Sequence, residues 1–236
     1  MPTPSDLAVI SGGSSGIGAA IGRMFCEENK AVALLARREE NLRAVSTYLQ
    51  AEGGDAHPLV VDVSLSTDVE KVSAFVKKFK GSLKYLVHNA GLARVGSVEH
   101  FSVADWKRTL DVNLTAPFVL TRHLLPLMSP DSHIIFINSV AGKQTFPEWS
   151  AYCASKHGLR AFADTLRKEV AARGIKVTTL FPGAVDTPLH DSLPYDWERE
   201  KMLQPTHVAE AVRYIIRQPS QVTVPELDLS HNAGLF

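Results

Sequence analysis

Excess charge of either sign is missing from this chain: 25 Lys and Arg stand against 25 Asp and Glu, a formal net charge of zero over 236 residues. Proteins that grip a phosphate backbone or an anionic membrane carry clustered surplus Lys and Arg, so neither nucleic acid nor a membrane is an expected partner. Cysteine is scarce as well. Cys26 and Cys153 cannot build a multi-bridge framework, and the nine His show no zinc-like spacing, which points to a reducing compartment and to no metal. Long apolar runs are lacking, since stretches such as 31–36 fall far short of the roughly 20 residues a membrane span requires. Residues 1–6 have no basic stretch followed by an apolar core, so a cytoplasmic location is expected. The Asn113-Leu114-Thr115 triplet has meaning as a glycosylation acceptor only in a secreted chain and is discounted. What the chain does have is apolar content. Hydrophobic residues make up 45%, which with zero net charge excludes a disordered polymer and predicts a packed core.

Periodicity along the chain is repetitive. The apolar run 7–11 ends in Gly-rich sequence, after which Ile17, Ile21, Met24 and Phe25 recur at helical spacing. The run 31–36 is followed by Leu42, Val45 and Leu49, and 57–63 by Val69, Val72 and Val76. Further strands are predicted at 85–88, 134–137, 177–181 and 222–229, with long helices over 104–128 and 150–172. Strands that alternate with helices imply an α/β fold with a doubly wound parallel sheet covered on both faces, a three-layer Rossmann-type arrangement. No linker or low-complexity tract interrupts it, so 1–236 is read as a single domain, with the polar, Pro-containing stretch 186–205 as a lid. In such sheets ligands sit beyond the carboxyl ends of the strands, which directs attention to the residues just after each one.

After the first strand comes Ser11-Gly12-Gly13-Ser14-Ser15-Gly16-Ile17-Gly18, opening into a helix. Glycines let backbone approach a phosphate, and free amides at the helix start favour its charge. The spacing differs from GxGxxG, and the absence of a following Gly-Lys-Ser/Thr excludes a P-loop. At the end of the second strand stand Arg37 and Arg38. A carboxylate there would bind a ribose 2′-hydroxyl and repel a 2′-phosphate, whereas a guanidinium does the reverse, so NADP(H) is expected over NAD(H), with Arg37 foremost and the Ser14 and Ser15 hydroxyls as helpers. The other reading pairs both arginines with Glu39 or Glu40. Asp62, beside Val63 after the third strand, is a candidate for the adenine amino group or for helix capping. Tyr152 and Lys156 lie four apart in a helical stretch, which puts phenol and ammonium on one face, where the cation favours phenolate. Ser139, just past the 134–137 strand, is placed to donate to a substrate carbonyl.

Together these residues resemble the short-chain dehydrogenase/reductase family. The Gly-rich turn resembles its Thr-Gly-x-x-x-Gly-x-Gly, with Ser11 in place of the threonine, and Asn89-Ala90-Gly91 matches the Asn-Ala-Gly after its fourth strand. Asn113 stands where the family keeps its catalytic asparagine, and Ser139, Tyr152 and Lys156 match its serine and Tyr-x-x-x-Lys. The segment Pro182-Gly183-Ala184-Val185-Asp186-Thr187 resembles the one that wraps the nicotinamide. The resemblance implies an NADP(H)-dependent oxidoreductase in which Tyr152 is the general acid or base, Lys156 lowers its pKa and binds the nicotinamide ribose, Ser139 orients the substrate oxygen, and Asn113 holds a water in a proton relay. Cofactor contacts are implied at Gly12, Ser14, Ser15, Gly16, Ile17, Gly18, Arg37, Arg38, Asp62, Val63, Asn89, Ala90, Gly91, Tyr152, Lys156, Pro182, Gly183, Val185 and Thr187. The tail from Val224 to Ser230 lacks the Asp-Gly-Gly of acyl-carrier-protein reductases and looks more like members acting on small aldehydes, ketones or hydroxy acids. A 3-oxoacyl thioester reductase and a non-catalytic NADP(H) sensor are the competing readings.

Leu189, Leu193, Tyr195, Trp197, Met202 and Leu203, with Phe146 and Trp149, are candidates to cover a substrate or simply to pack a lid. Arg94, Lys143 and His190 are loose candidates for a carboxylate clamp. By the same resemblance a homo-oligomer, first a tetramer, is expected through the two long helices. Leu114, Phe118, Leu159 and Phe162 are then either interface residues or residues that face the sheet.

Overall fold

A computed structural model describes residues 6–233. Seven parallel strands form one sheet in the order β3-β2-β1-β4-β5-β6-β7: β1 Leu7–Ser11, β2 Ala31–Ala36, β3 Ala56–Val60, β4 Leu83–His88, β5 Met128–Ile137, β6 Lys176–Pro182 and β7 Glu226–Leu229. The helices between them are α1 Gly16–Glu27, α2 Glu39–Ala51, α3 Ser66–Lys78, α4 Val103–Leu110, α5 Ala116–Leu124, α6 Ser150–Val170 and α7 Pro205–Ile216. The fold is a Rossmann-type α/β/α sandwich, as the alternating pattern predicts.

Every residue of β1 is buried, and alternate side chains enter different cores. Leu7 and Val9 join Ala33, Leu35, Ile134 and Phe136 against α3, α5 and α6. Ala8 and Ile10 join Leu34, Val87, Ile135 and Leu180 against α1, α2 and α7. A strand covered on both faces needs a continuous apolar run, and burying each large side chain contributes about 1.5–3 kcal/mol. The strand order turns away from β1 in both directions, to β2 on one side and β4 on the other, so the crevice at their carboxyl ends is the topological switch point.

Strand bounds shift by a few residues, most at β5 and β7, and two stretches differ in kind from expectation. Residues 104–128 do not form one α-helix: α4 passes into a π-helical turn at Asp111–Thr115, then α5, then a 3-10 turn at Leu125–Leu127, and Met128 already belongs to β5. Helix α7 follows the proposed lid, a region where the sequence reading placed no element; its Val208, Val212 and Ile215 are buried against α1 and the sheet. Of the four suggested interface residues, Leu159 is buried facing the sheet and Leu114 and Phe162 pack partly against it, while Phe118 is 49% exposed. Among the described residues no helix is long and apolar enough to cross a membrane.

Candidate active site

The turn after β1 is fixed by hydrogen bonds to the neighbouring strands. Gly12 N and Gly13 N both donate to Leu35 O of β2, at 2.8 and 3.1 Å. Ser11 Oγ accepts from Asn89 N and Ala90 N, each at 3.0 Å, and donates to Val87 O, so one hydroxyl stitches the ends of β1 and β4. Asn89 Nδ2 donates to Ser11 O and Gly12 O, holding the turn from beneath. Gly12 has φ +70, and a Cβ there would come within 2.9 Å of Asn89 Nδ2, while a Cβ on Gly18 would collide with the Gly12 carbonyl. Only glycine serves at either place. Helix α1 begins with no side-chain cap from Ser15 and no acidic residue in its first turn. Its first amides therefore keep an unmet demand for an anion at the positive end of the helix.

Around this turn lies a cleft of about 350 Å³. Ser14, Ser15, Gly16 and Ile17 line it, with Arg37 and Arg38 and with Asn89, Ala90 and Gly91. Arg38 stands at the N-cap of α2, but Glu39 pairs with Arg43, not with either arginine. Arg37 is 61% exposed, with Nη1 3.8 Å from Asp62 Oδ2. Asp62 and Val63 line the same cleft. Asp62 Oδ1 accepts from Ser64 N and Oγ, and Oδ2 accepts from Arg108 at 3.0 Å, so the carboxylate organises the turn before α3 rather than capping the helix, whose N-cap is Leu65. Burial works to raise its pKa, but the Ser64 and Arg108 hydrogen bonds prevail and hold it below the usual carboxylate value.

Tyr152 and Lys156 also line the cleft, one turn apart on α6, with Lys156 Nζ 5.6 Å from the Tyr152 ring centre. Lys156 is buried and donates to Ile137 O at 3.1 Å; burial lowers its pKa to about 8. Burial also raises Tyr152 to about 12, against an opposing hydrogen bond with Ser139. The phenol is thus protonated, and at neutral pH Lys156 keeps a proton held less firmly than usual. Ser139 Oγ accepts from Ala141 N at 3.1 Å, which uses a lone pair and leaves its hydrogen to donate. Asn113 sits in the π-helical turn, where its Oδ1 accepts from Leu92 N and its Nδ2 donates to Leu92 O and Ser155 Oγ, all within 3.0 Å. Both amide hydrogens are thereby taken, so the expected water-holding role falls to no free hydrogen of that side chain; the amide braces the chain after β4 against α6. A π turn at such a place is common at functional sites.

Tyr152 also borders a second cavity of about 530 Å³, together with Ser139, Gly183, Phe146, Trp149 and the lid. Tyr152 and Leu189 line both cavities. The stretch 186–205, expected as a lid, contains short 3-10 turns at His190–Ser192 and Arg199–Lys201 and is held by Arg199 to Asp186 and Asp191 at 2.6 Å each, by a Val185–Leu203 bridge, and by Tyr195 Oη donating to Glu148 Oε2 at 3.1 Å.

Most residues named from sequence converge on these cavities, and Thr187 lines the first. Gly18, Asn113, Pro182 and Val185 line neither: Gly18 is a close-contact position, Pro182 ends β6, and Val185 is buried in the bridge to Leu203. Sequence reasoning missed Asn138, which lines the cleft and donates from Nδ2 to Lys156 O, and Arg108, which binds Asp62. The place of Asn138 immediately after a strand was its available signal; Arg108 lies 46 residues from Asp62 and had none. Among the described residues no group of three His, Cys, Asp or Glu could hold a metal ion.

Comparison with known proteins places this geometry. An uncharacterized oxidoreductase of Staphylococcus saprophyticus is 36% identical over 228 residues, covering 94% of this chain and 95% of that one. The structure of an alcohol dehydrogenase from the archaeon Thermococcus sibiricus, complexed with 5-hydroxy-NADP, superposes with a TM-score of 0.89 at 30% identity, covering 96% of this chain and 97% of that chain. A variant of the actinorhodin polyketide ketoreductase with NADPH gives 0.88 at 30% identity, over 100% of both chains. The family model described as short chain dehydrogenase matches residues 6–197, most of the sheet and the whole Ser139, Tyr152 and Lys156 constellation, and the chain belongs to that family of oxidoreductases.

Proposed function

We propose that the chain is an NADP(H)-dependent oxidoreductase that interconverts a small carbonyl compound and its alcohol, with Asn113, Ser139, Tyr152 and Lys156 as its working residues. The observation that carries the reading is the position of Tyr152, between a cleft with a phosphate-ready helix start and an apolar cavity of substrate size. The residues fit the cofactor: the uncapped α1 amides suit a pyrophosphate, Gly12 and Gly16 line the cleft beside them, and Arg37 and Arg38 offer guanidinium to a 2′-phosphate. Held there, NADPH would supply a hydride, two electrons with a hydrogen nucleus, for the carbonyl carbon and would itself be oxidised to NADP⁺. Tyr152 gives its hydroxyl proton to the carbonyl oxygen, so the carbonyl gains two protons and two electrons in all, and the phenolate takes a proton back from solvent. Ser139 donates to the same oxygen as negative charge grows on it, which favours the transition state over the ground state. The Lys156 ammonium favours the transient phenolate. Asn113 acts as a positioning residue, fixing Leu92 and Ser155.

Location in the cytoplasm, a single domain with 186–205 as lid, and assembly as a homo-oligomer through α4, α5 and α6 belong to the same reading. The half-exposed Phe118 and Trp106 support the assembly, and sedimentation would measure it. Oxidation of NADPH, followed by absorbance in the presence of aldehydes and ketones, tests the activity. Tyr152→Phe should bind NADPH normally, by fluorescence titration, yet lose about 100-fold or more of turnover. Retained turnover in that variant would overturn the assignment.

A further inference from the structure

We propose that the second cavity selects an uncharged, ring-bearing carbonyl substrate and turns away carboxylates. This rests on the reductase reading above and narrows its substrate.

Size and wall chemistry come first. The cavity, about 530 Å³, falls in the range that encloses a drug-sized molecule, so an aldehyde of two or three carbons would leave most of it unfilled. Its walls are aromatic. Trp149 and Tyr195 lie near parallel, 9° apart with ring centres at 6.1 Å, and Trp197 stands edge-on to Tyr195 at 5.5 Å. His190 meets Trp197 edge-on at 4.7 Å, and Met202 completes the apolar lining. Flat rigid walls of this kind favour a flat ring, through contact area and through edge-to-face and offset pairing.

Charge decides the rest. Glu148, Asp196 and Glu198 border the cavity; Lys201 is the one ammonium among the described residues that does, and Glu198 already pairs with it. The cations that sequence suggested for a clamp are unavailable. Lys143 is held by Asp228 at 2.8 Å and Glu226 at 3.0 Å, Arg94 lines the other cleft, and burial keeps His190 neutral by lowering its pKa. A substrate carboxylate would therefore enter beside like charges with no free partner, an arrangement that excludes ligands by repulsion. The neutral hydroxyls of Ser139 and Tyr152 border the cavity and can donate to a carbonyl oxygen without needing a charge on the substrate. The reaction stays the reduction written above, with hydride to the carbonyl carbon and the Tyr152 proton to its oxygen.

Three matched substrates test the proposal with wild-type protein and NADPH: methyl benzoylformate, which has the ring and no charge; benzoylformate, the same ketone as an anion; and methyl pyruvate, uncharged and without the ring. The expected kcat/KM for methyl benzoylformate exceeds that for each of the others about tenfold or more. An ester activates its neighbouring ketone more than a carboxylate does, so the deciding comparison is made in Glu148→Gln/Glu198→Gln, where the ester-to-acid ratio should shrink about threefold or more. Trp197→Leu should likewise shrink the preference for methyl benzoylformate over methyl pyruvate. Ratios that stay unchanged in both variants, or methyl pyruvate turned over as well as methyl benzoylformate by the wild type, would overturn the substrate assignment alone. No turnover of any of the three, with NADPH binding intact, would overturn the reductase reading along with it.

Discussion

Replacing Lys156 by methionine should make the protein more stable at neutral pH while abolishing turnover, and the gain should fade as pH rises. Lys156 is 4% exposed, and burial lowers its pKa from 10.5 to about 8. The native state thus binds this proton more weakly than the unfolded chain does. Below about 8 both states carry the proton and the native state bears the whole cost; above 10.5 neither carries it and the cost is gone. Linkage across that gap gives about 3 kcal/mol against the native state at pH 7, falling to about 1.4 kcal/mol near pH 9.5. Methionine removes this cost and with it the bond to Ile137 O, a loss of about 1 kcal/mol at any pH. The net expectation is roughly 2 kcal/mol of stabilisation at pH 7 that shrinks to near zero by about pH 9.5. Tyr152, raised to about 12, stays protonated in the native state through that range. Urea unfolding of both proteins at several pH values reads the difference from midpoints and slopes. A difference that does not change with pH, or a wild type more stable than the variant at pH 7, would refute the reasoning that Lys156 is held charged in a site that disfavours charge.

Two further substitutions probe the cofactor cleft. Arg37→Ala should weaken NADPH binding about 10- to 100-fold and leave NADH nearly unchanged, since a charge-assisted bond to a 2′-phosphate is lost; equal losses for both nucleotides would sink the 2′-phosphate assignment. Ser11→Ala strands two backbone amides, Asn89 N and Ala90 N, and should cost about 2–4 kcal/mol in urea unfolding, whereas Ser11→Thr, which keeps the hydroxyl, should stay within about 1 kcal/mol of wild type. A wild-type midpoint in the alanine variant would show that those amides find other partners.

The sheet was legible because its strands are buried on both faces and so read as unbroken apolar runs between helical spacings. The fifth strand ran short in the reading because its outer part is polar: Pro130 and Asp131 are exposed on β5, and nothing apolar marks them. Helix α7 was passed over for a different reason. Its start, Gln204-Pro205, looks like the end of a loop, although proline at the first helical position and the reciprocal Gln204 and His207 cap are helix-start signals, and Val208, Val212 and Ile215 hold helical spacing. The grouping of Ser139, Tyr152 and Lys156 was legible at short range and as a resemblance. Its supports were legible only in part: the resemblance names Asn89 but not its place under the glycine turn, and Arg108 on Asp62 and Asn138 on the α6 backbone act across distances in sequence that no spacing rule spans.

The π-helical turn shows why one part of the site resists any reading by period. A regular helix advances by 3.6 residues per turn, so a helix from α4 to α5 would keep one face toward the sheet throughout. The turn at Asp111–Thr115 is wider, and it breaks that phase at Asn113. Asn113 is buried there, with its amide spent on both backbone groups of Leu92 and on Ser155, whose hydroxyl in turn donates to Tyr152 O at 2.7 Å. One side chain therefore locks the loop after β4, which lines the cofactor cleft, to the turn of α6 that carries Tyr152. In sequence the break appears only as a small slip in an apolar pattern, which is easily absorbed into a longer helix. The local backbone departs from regularity at the one point where three elements must be held in register, so the irregularity is a condition of the site rather than a fault in the helix.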